Sequence, residues 1–251
     1  MYKLALMAVL ASAGVAFAGP VQSHHAAGSH AWMPLNPARG VLWDQSIASG
    51  NATVDQNFPD FPDYSSGMVD DFSTVAQAWN ITKVTTYYTR GVGNWSDGVA
   101  QAELSLFSKV GSIPGEPDLV GNLGLVDVSL ASSLDGQAWA VTADTSSIAA
   151  LQNISGEFWI GLTPVAAFGS FGQEFHLLSA LPTVGGGSAI RNAGGAFGFG
   201  TGWTDAGSLD LQPGADMLFT LEGQIVPGPG AAAFLAGCLA SLGGRRRKRL
   251  N

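Results

Sequence analysis

Residues 79–88 read Trp-Asn-Ile-Thr-Lys-Val-Thr-Thr-Tyr-Tyr, a run dominated by β-branched and aromatic side chains. Trp79, Ile81 and Lys83 alternate with the residues between them, and no apolar spacing of the helical kind accompanies them. β-Branched and aromatic residues fit the pleated, half-buried surface of a strand. The run therefore predicts a β-strand that ends with the pair Tyr87 and Tyr88.

Runs with the same alternation recur on both sides of this strand, separated by turns rich in Gly, Pro, Asn and Asp. Helical spacing is confined to one turn at residues 146–151. About eight to ten short strands over residues 41–225 predict an all-β domain, a two-sheet antiparallel β-sandwich like a jelly roll. The other predicted strands lie near residues 102–106, 123–130, 138–142, 158–162, 175–177, 196–203 and 217–221.

The first 18 residues have the three parts of a secretory signal peptide. Lys3 supplies the positive charge, residues 4–16 form a short apolar stretch, and Ala16-Phe17-Ala18 is a small-x-small cleavage pattern. A membrane-spanning helix needs about 20 apolar residues, which is more than this stretch provides. We therefore expect signal peptidase to remove residues 1–18 and to leave Gly19 as the new N-terminus.

Residues 226–251 form a second segment with three parts. The motif Val226-Pro227-Gly228-Pro229 comes first, an apolar stretch follows at residues 231–244, and five basic residues occupy positions 245–249. A hydrophobic stretch followed by a basic cluster stops in a membrane with the cluster on the cytoplasmic side. The stretch is short for a permanent span. The tail therefore predicts transient membrane insertion followed by proteolytic removal, with a plain tail anchor as the alternative.

This order of motif, apolar segment and basic end resembles the PEP-CTERM sorting signal of exported bacterial proteins. In that family an exosortase recognises a Val-Pro-Glu-Pro-like motif; here Val226, Pro227 and Pro229 match, and Gly228 stands in place of the glutamate. The resemblance implies an exosortase-like processing enzyme as a partner and a destination at the cell envelope, the cell surface or the extracellular matrix. Residues 68–72 and 197–203 are also similar to strands of proteins that carry this tail, which implies a shared β-sandwich body.

Charge is divided unevenly between the two ends and the body of the chain. Six of the 11 basic residues lie in the ends and all 19 acids lie in the body, which keeps 5 basic residues and a net charge of −14. A surface of this sign repels nucleic acid and anionic membranes, so we expect no nucleic-acid partner. The single cysteine, Cys238, lies in the tail, so the body has neither a disulfide nor a cysteine-based metal site.

Sequence motifs for catalysis are scarce. His176 is the one histidine of the predicted β region, and it sits in an alternating strand where a structural role is the simpler interpretation. The glycine-rich residues 194–202 are interleaved with aromatic residues, which favours bulges or close packing over a dinucleotide site. Paired carboxylates of the kind that glycosidases use stay open as an alternative, because 19 acids allow many pairs.

Aromatic residues offer a possible carbohydrate site, because the C–H groups of a sugar ring stack on exposed aromatic faces. Trp95, in the loop sequence Gly-Asn-Trp-Ser-Asp-Gly, is the best placed of the tryptophans for this role, and Tyr87 and Tyr88 are further candidates. The competing interpretation is that these rings fill the core, as most tryptophans of a sandwich do.

Two stretches suggest metal binding. Asp55, Asp60 and Asp63 fall within one Pro-containing loop, and carboxylates are the oxygen ligands that calcium prefers, although the spacing is not that of an EF-hand. A solvated acidic loop is the alternative. A histidine-rich patch at residues 24–30 lies in a segment, residues 19–40, that we expect to be a flexible N-terminal arm. No other cofactor is expected.

The leading hypothesis from these features is an exported, C-terminally sorted protein of the cell surface or extracellular matrix. It would act as a structural or adhesive component without catalysis. A carbohydrate-binding module, stabilised by calcium and contacting an extracellular polysaccharide, is the first alternative. A glycoside-active enzyme is the second, and it requires two acids about 5–10 Å apart in a cleft.

Overall fold

The computed structural model of the chain describes residues 24–25, 40–93, 95, 98–114, 121–133, 136–179, 186–209 and 216–227. Nearly all of its regular structure is antiparallel β-sheet, which confirms the all-β prediction. The strands are β1 (His24–His25), β2 (Val41–Gln45), β3 (Ala48–Val54), β4 (Gly67–Ser73), β5 (Trp79–Gly93), β6 (Gln101–Ser108), β7 (Gly121–Ser132), β8 (Ala138–Asp144), β9 (Glu157–Val165), β10 (Gly172–Ser179), β11 (Ala189–Arg191), β12 (Thr204–Asp205) and β13 (Phe219–Ile225).

The first layer is built around β5, whose fifteen residues include the run at residues 79–88. β5 pairs with β13 along its first half, with β8 along its middle and with β10 at its end. β3 continues the layer beyond β10, and β2 continues it beyond β13. One strand this long contacts three others because its length exceeds that of each partner.

β7 carries the chain from the second layer to the first. Its second half, Val128–Ser132, pairs with β8, and its first half, Gly121–Asp127, pairs with β6. The second layer then runs in the order β7, β6, β9, β4, β11 and β12. One strand shared between two layers is a common way for a β-sandwich to make its corner.

The main core lies between the two layers. Buried side chains of β5 such as Val84 face buried side chains of β6 and β9 such as Leu104 and Leu162. Polar groups cross the same interface, because the hydroxyl of Thr86 donates to the carbonyl of Leu162 at 3.3 Å. These contacts hold β5 and β9 face to face, as a sandwich requires.

A second, smaller apolar cluster covers the outer face of the second layer. It contains Val69, Phe107, Trp159 and Ala189, and the half-buried Trp203 packs against it. Most outer faces of sandwiches are solvated and polar. Here the chain between β10 and β13 returns across the sheet and supplies the cover.

Most predicted strands are confirmed, and the single helical turn predicted at residues 146–151 is observed as the 3-10 turn Ala149–Leu151. The predicted strand at residues 196–203 is wrong, since this segment forms consecutive turns. Gly195, Gly198 and Gly200 have φ angles of 73°, 83° and 97°, which the extended backbone of a strand does not adopt. The aromatic residues between the glycines imitated the alternation of a strand.

Within the expected N-terminal arm, residues 24–25 pair with Ala52 and Asn51 of β3. The predicted signal peptide and most of the predicted tail fall on residues that the structure does not describe, including Ala16, Ala18, Gly19 and Pro229. Across the described residues, no helix has the length and apolarity needed to cross a membrane.

Gly223 of β13 is a position where the fold requires the absence of a side chain. A Cβ atom there would lie 1.9 Å from the carbonyl oxygen of Asn80 on β5. We expect Gly223→Ala to lower the free energy of unfolding by about 1–3 kcal/mol, because backbone has to move to accept the methyl group. Urea denaturation measures the change.

Gly202 is the matched control, because a Cβ atom there would meet no atom within 4 Å. Gly202→Ala should leave the free energy of unfolding nearly unchanged. Equal stability of the two variants would contradict the packing of β13 against β5.

Candidate functional site

A network of hydrogen bonds around Asp55 occupies the interior at the end of β3. The Asp55 side chain is fully buried. Its Oδ2 lies 2.7 Å from both the hydroxyl of Tyr88 and Nδ1 of His176. Its Oδ1 accepts the hydroxyl of Thr163 at 2.8 Å and the backbone N–H of Met68 at 3.1 Å. Both carboxylate oxygens are therefore engaged by donors from four different strands.

His176 is held at both ring nitrogens. Nε2 lies 3.0 Å from the carbonyl of Leu218, which only accepts, so Nε2 carries a proton. Nδ1 lies 2.7 Å from Oδ2 of Asp55. The side chains of the pair are fully buried. Because the ring is enclosed and both nitrogens are engaged, the arrangement orients strands and presents no base to a substrate, which agrees with the structural interpretation of His176.

Asp70 forms a second buried network, at the junction of β4, β2 and the start of β13. Its Oδ2 accepts Nε2 of Gln45 at 2.7 Å and the N–H of Met217 at 2.8 Å. Burial raises the pKa of Asp70 well above its usual value, and the nearby carboxyl of Asp216 raises it further. Asp216 is itself buried. The pKa of Asp70 is therefore raised because its carboxyl group is enclosed together with that of Asp216.

Asp71 points to the opposite face of β4 and joins the outer apolar cluster. It forms an ion pair with Lys109, and its Oδ1 accepts the N–H of Gly186 at 2.9 Å. The ammonium group of Lys109 also lies 5.3 Å from the centre of the Trp159 ring. The hydrogen bond from Gly186 attaches the returning segment to the sheet, and the Asp71 carboxylate is nearly buried.

The carbohydrate site predicted at Trp95, Tyr87 and Tyr88 is wrong, because all three rings lie in the core. None of the three is more than 1% exposed. Tyr88 packs against Trp95 with ring centroids 5.0 Å apart. Burial raises the pKa of Tyr87 to about 12 and that of Tyr88 well above its usual value, so both phenols stay neutral.

The calcium site predicted at Asp55, Asp60 and Asp63 is not formed. Asp55 is enclosed by its internal donors, whereas Asp60 and Asp63 are exposed. Asp60 accepts the N–H groups of Phe168 and Gly169 at 2.9 Å each, where it caps the short helix α1 (Phe168–Phe171). Among the described residues, no group of three His, Cys, Asp or Glu side chains is placed to hold a metal ion.

A polar cleft opens on the outer face of the second layer, beside the apolar cluster. The register of β6 and β9 explains why it forms. Phe107 pairs with Trp159, Ser105 with Gly161, and Glu103 with Thr163. Alternate residues of a strand share a face, so a bulky pair and a polar pair flank a pair with almost no side chain. The chain of Met68 occupies the space above Gly161, where a Cβ atom would lie 2.3 Å from the Met68 carbonyl oxygen, and the cleft lies beside it over Ser105.

Two walls bound this cleft, which has a volume of about 120 Å³ and is partly open to solvent. One wall is the chain at residues 65–69, and the other carries Arg191, Ala193 and Trp203. The guanidinium carbon of Arg191 lies 5.0 Å from the centre of the Trp203 ring. Phe107 meets the same ring edge-on, with centroids 5.6 Å apart. The indole on the rim is thus held from two sides.

The floor of the cleft carries a fixed carboxylate. Glu103 accepts Nδ2 of Asn57 at 3.2 Å and Nδ2 of Asn122 at 2.5 Å. The hydroxyl of Ser65 lies 3.3 Å from Oδ1 of Asn57. Among the described residues that line the cleft, Glu103 is the one carboxylate and Arg191 the one cation. The charged groups of this cleft therefore offset each other.

Sequence reasoning did not find this cleft. Arg191 ends the very short strand β11, Trp203 directly precedes the very short strand β12, and the glycine-rich segment between them is a run of turns and bends. The available signal was Glu103-Ser105 on a strand whose other face is apolar, because polar residues on the outer face indicate contact with solvent. That pattern indicates which face of β6 meets solvent, and it does not indicate which other segments form the walls of the cleft.

No protein-family model matches this chain, and the search of curated proteins finds no sequence relative.

The Asp55 network predicts a large loss of stability when its charge is removed. In Asp55→Asn an amide N–H₂ group replaces one of the two carboxylate oxygens. That group faces the hydroxyl, imidazole or backbone donors that now bond to the oxygen, so these donors lose their acceptor. We expect the free energy of unfolding to fall by about 3–5 kcal/mol. Chemical denaturation followed by tryptophan fluorescence measures it. Asp127→Asn, at an exposed residue of β7, is the control and should change stability little; equal losses would contradict the assignment.

The raised pKa of Asp70 predicts the pH dependence of stability. The folded protein holds this proton to higher pH than the unfolded chain. The contribution is therefore fully present below the unfolded pKa, about 3.9, and declines as pH rises toward the folded pKa. Asp70→Asn should flatten the fall of the unfolding free energy above about pH 4 relative to the native chain. Asp127→Asn should keep the native slope, and an unchanged slope in Asp70→Asn would refute the assignment.

Proposed function

We propose that this chain is exported, sorted through its C-terminal segment, and acts at the cell surface or in the extracellular matrix as a structural or adhesive component without catalysis. The observation that carries the proposal is the combination of a signal-peptide pattern at residues 1–18 with the motif, apolar segment and basic end of residues 226–251. The signal peptidase and an exosortase-like enzyme are the proposed processing partners.

The end of the fold is compatible with processing near Val226. The N–H of Val226 donates to the carbonyl of Ala78 at 2.8 Å, just beyond the last pair of β13 with β5. Pro227 follows and is exposed. A cut after this point would remove no strand of the described sheet, so the sandwich would keep its pairing.

The interior supports a role without catalysis. Asp55, Asp70 and His176 are the buried groups with the most potential for acid–base chemistry, and each is engaged by donors or acceptors of the scaffold. The outer cleft presents Glu103 without a second lining acid, whereas a glycosidase needs a pair. These groups are arranged to hold strands together.

Carbohydrate binding is a second candidate function, and the polar cleft favours it. The cleft combines a half-buried indole, a guanidinium, a carboxylate and amide groups on one face of a rigid sheet. Such mixtures of apolar surface and fixed polar groups are typical of small-molecule sites.

Intact-mass measurement of the mature protein tests the proposed sorting. In a bacterial host that carries an exosortase, we expect a chain that begins at Gly19 and has lost the segment after about Val226. In a matched host without the enzyme, the C-terminal segment should remain. Retention of residues 228–251 in both hosts would contradict the sorting, and turnover of a polysaccharide by the purified protein would contradict the role without catalysis.

A further inference from the structure

We propose that the cleft between β6, β9 and the segment carrying Arg191 and Trp203 binds one neutral hexopyranose unit of an extracellular polysaccharide. This inference rests on carbohydrate binding, the second candidate function, and adds the place of the site and the class of sugar. It does not depend on how the C-terminal segment is processed.

The shape of the cleft suits a small, flat ligand. Its volume of about 120 Å³ is smaller than the range of about 300–1,000 Å³ that is typical of pockets for drug-sized ligands, which limits the site to one small unit. Ser105 lines the cleft and projects only a small side chain from the sheet. The backbone beneath is paired on both sides, so the cleft is rigid and preformed.

The polar groups of the cleft match a ring of hydroxyls. A sugar hydroxyl both donates and accepts, so a site needs fixed partners of both kinds. Glu103 supplies carboxylate oxygens that two asparagine amides hold in place. Arg191 supplies guanidinium donors, and its contact among the described residues is with the Trp203 ring, where its N–H groups remain available in the cleft. The carboxylate of Glu103 is on the floor of the cleft, and the guanidinium of Arg191 is on one of its walls.

Trp203 supplies the apolar surface that a pyranose ring requires. Its indole lines the cleft, is half-buried, and is oriented by Phe107 and Arg191 before any ligand arrives. An aromatic ring that is already immobile loses little conformational entropy on binding, which favours affinity. The indole therefore acts as a fixed platform at the rim.

The charges favour a neutral sugar over an acidic one. Arg191 and Glu103 offset each other within the cleft, while the body around it has a net charge of −14 when residues 1–18 and 226–251 are excluded. An anionic polysaccharide would be repelled by the body and by Glu103. A neutral polysaccharide is repelled neither by the net charge of the body nor by Glu103.

Affinity electrophoresis of the full chain tests the inference, with dextran, galactomannan and, as the anionic comparison, alginate embedded in the gels. We expect retardation by at least one neutral polysaccharide and none by alginate. Arg191→Gln, which removes the guanidinium, and Ser105→Tyr, which fills the cleft, should each weaken the retardation at least tenfold in polymer concentration.

Two variants outside the cleft serve as matched controls. Lys83→Gln removes an exposed cation that pairs with Glu222 on the first layer, and Ser129→Tyr enlarges an exposed serine of β7. Both should be retarded like the native chain, and urea denaturation of all four variants shows whether each is folded. If Ser105→Tyr is unfolded, Glu103→Gln replaces it, because the amide keeps the size of the side chain and loses the charged acceptor.

The outcomes separate the site from the function. Retardation by a neutral polysaccharide that persists in the folded cleft variants would overturn the proposed site and leave carbohydrate binding standing. Absence of retardation by either neutral polymer would overturn both. Stronger retardation by alginate than by the neutral polymers would overturn the neutral-sugar assignment.

Discussion

The fold depends on one buried carboxylate, that of Asp55. It receives donors from β4, β5, β9 and β10, which belong to both layers of the sandwich. Hydrophobic packing alone holds two sheets together without fixing how they are offset, because apolar contacts have no direction. A carboxylate with four fixed donors sets that offset, since an enclosed charge without its partners costs several kcal/mol.

The same constraint decides which residues are left for interaction with other molecules. Asp55, His176 and Tyr88 hold the layers, and Asp70 holds the start of β13 against β4. These groups are enclosed and already hydrogen-bonded within the fold, so they are not accessible to a substrate or ligand. Side chains able to meet a ligand have to lie outside the core. The outer face of the second layer provides them, because its strands alternate and its cover is incomplete.

Alternation in the sequence was sufficient to predict the strands around residues 79–88, 102–106 and 158–162, because strong β-formers show it plainly. It failed at residues 196–203, where glycines with positive φ separate aromatic residues. It also left β1, β2, β3, β11 and β12 unpredicted. Three of these, β1, β11 and β12, are very short strands, whose pairing depends on neighbours far away in sequence. Local pattern identifies a strand and its two faces, and long-range contacts decide where short edges form.

The cleft was beyond prediction for a related reason. Ser105 and Gly161 are ordinary residues in the sequence, and the register of β6 with β9 places them opposite each other. Gly161 leaves room for the chain at Met68, which forms one wall of the cleft beside Ser105. A shift of one residue would place Ser105 beside a large side chain and close the space. The errors over Trp95 and Asp55 have the opposite cause, since residue type suggested a surface role and the pairing of strands placed both in the interior.

Electrostatics connects the body to the kind of contact it favours. A body with many more acids than bases keeps copies of itself apart and repels anionic polymers over roughly a Debye length, about 8–10 Å at physiological salt. Adhesion by such a body therefore depends on short-range contacts at places where the charge is locally balanced. Arg191 and Glu103 provide that balance in the cleft. A neutral polyhydroxylated polymer is the partner for which this balance carries no electrostatic cost, whereas a charged partner would have to overcome the field of the whole body.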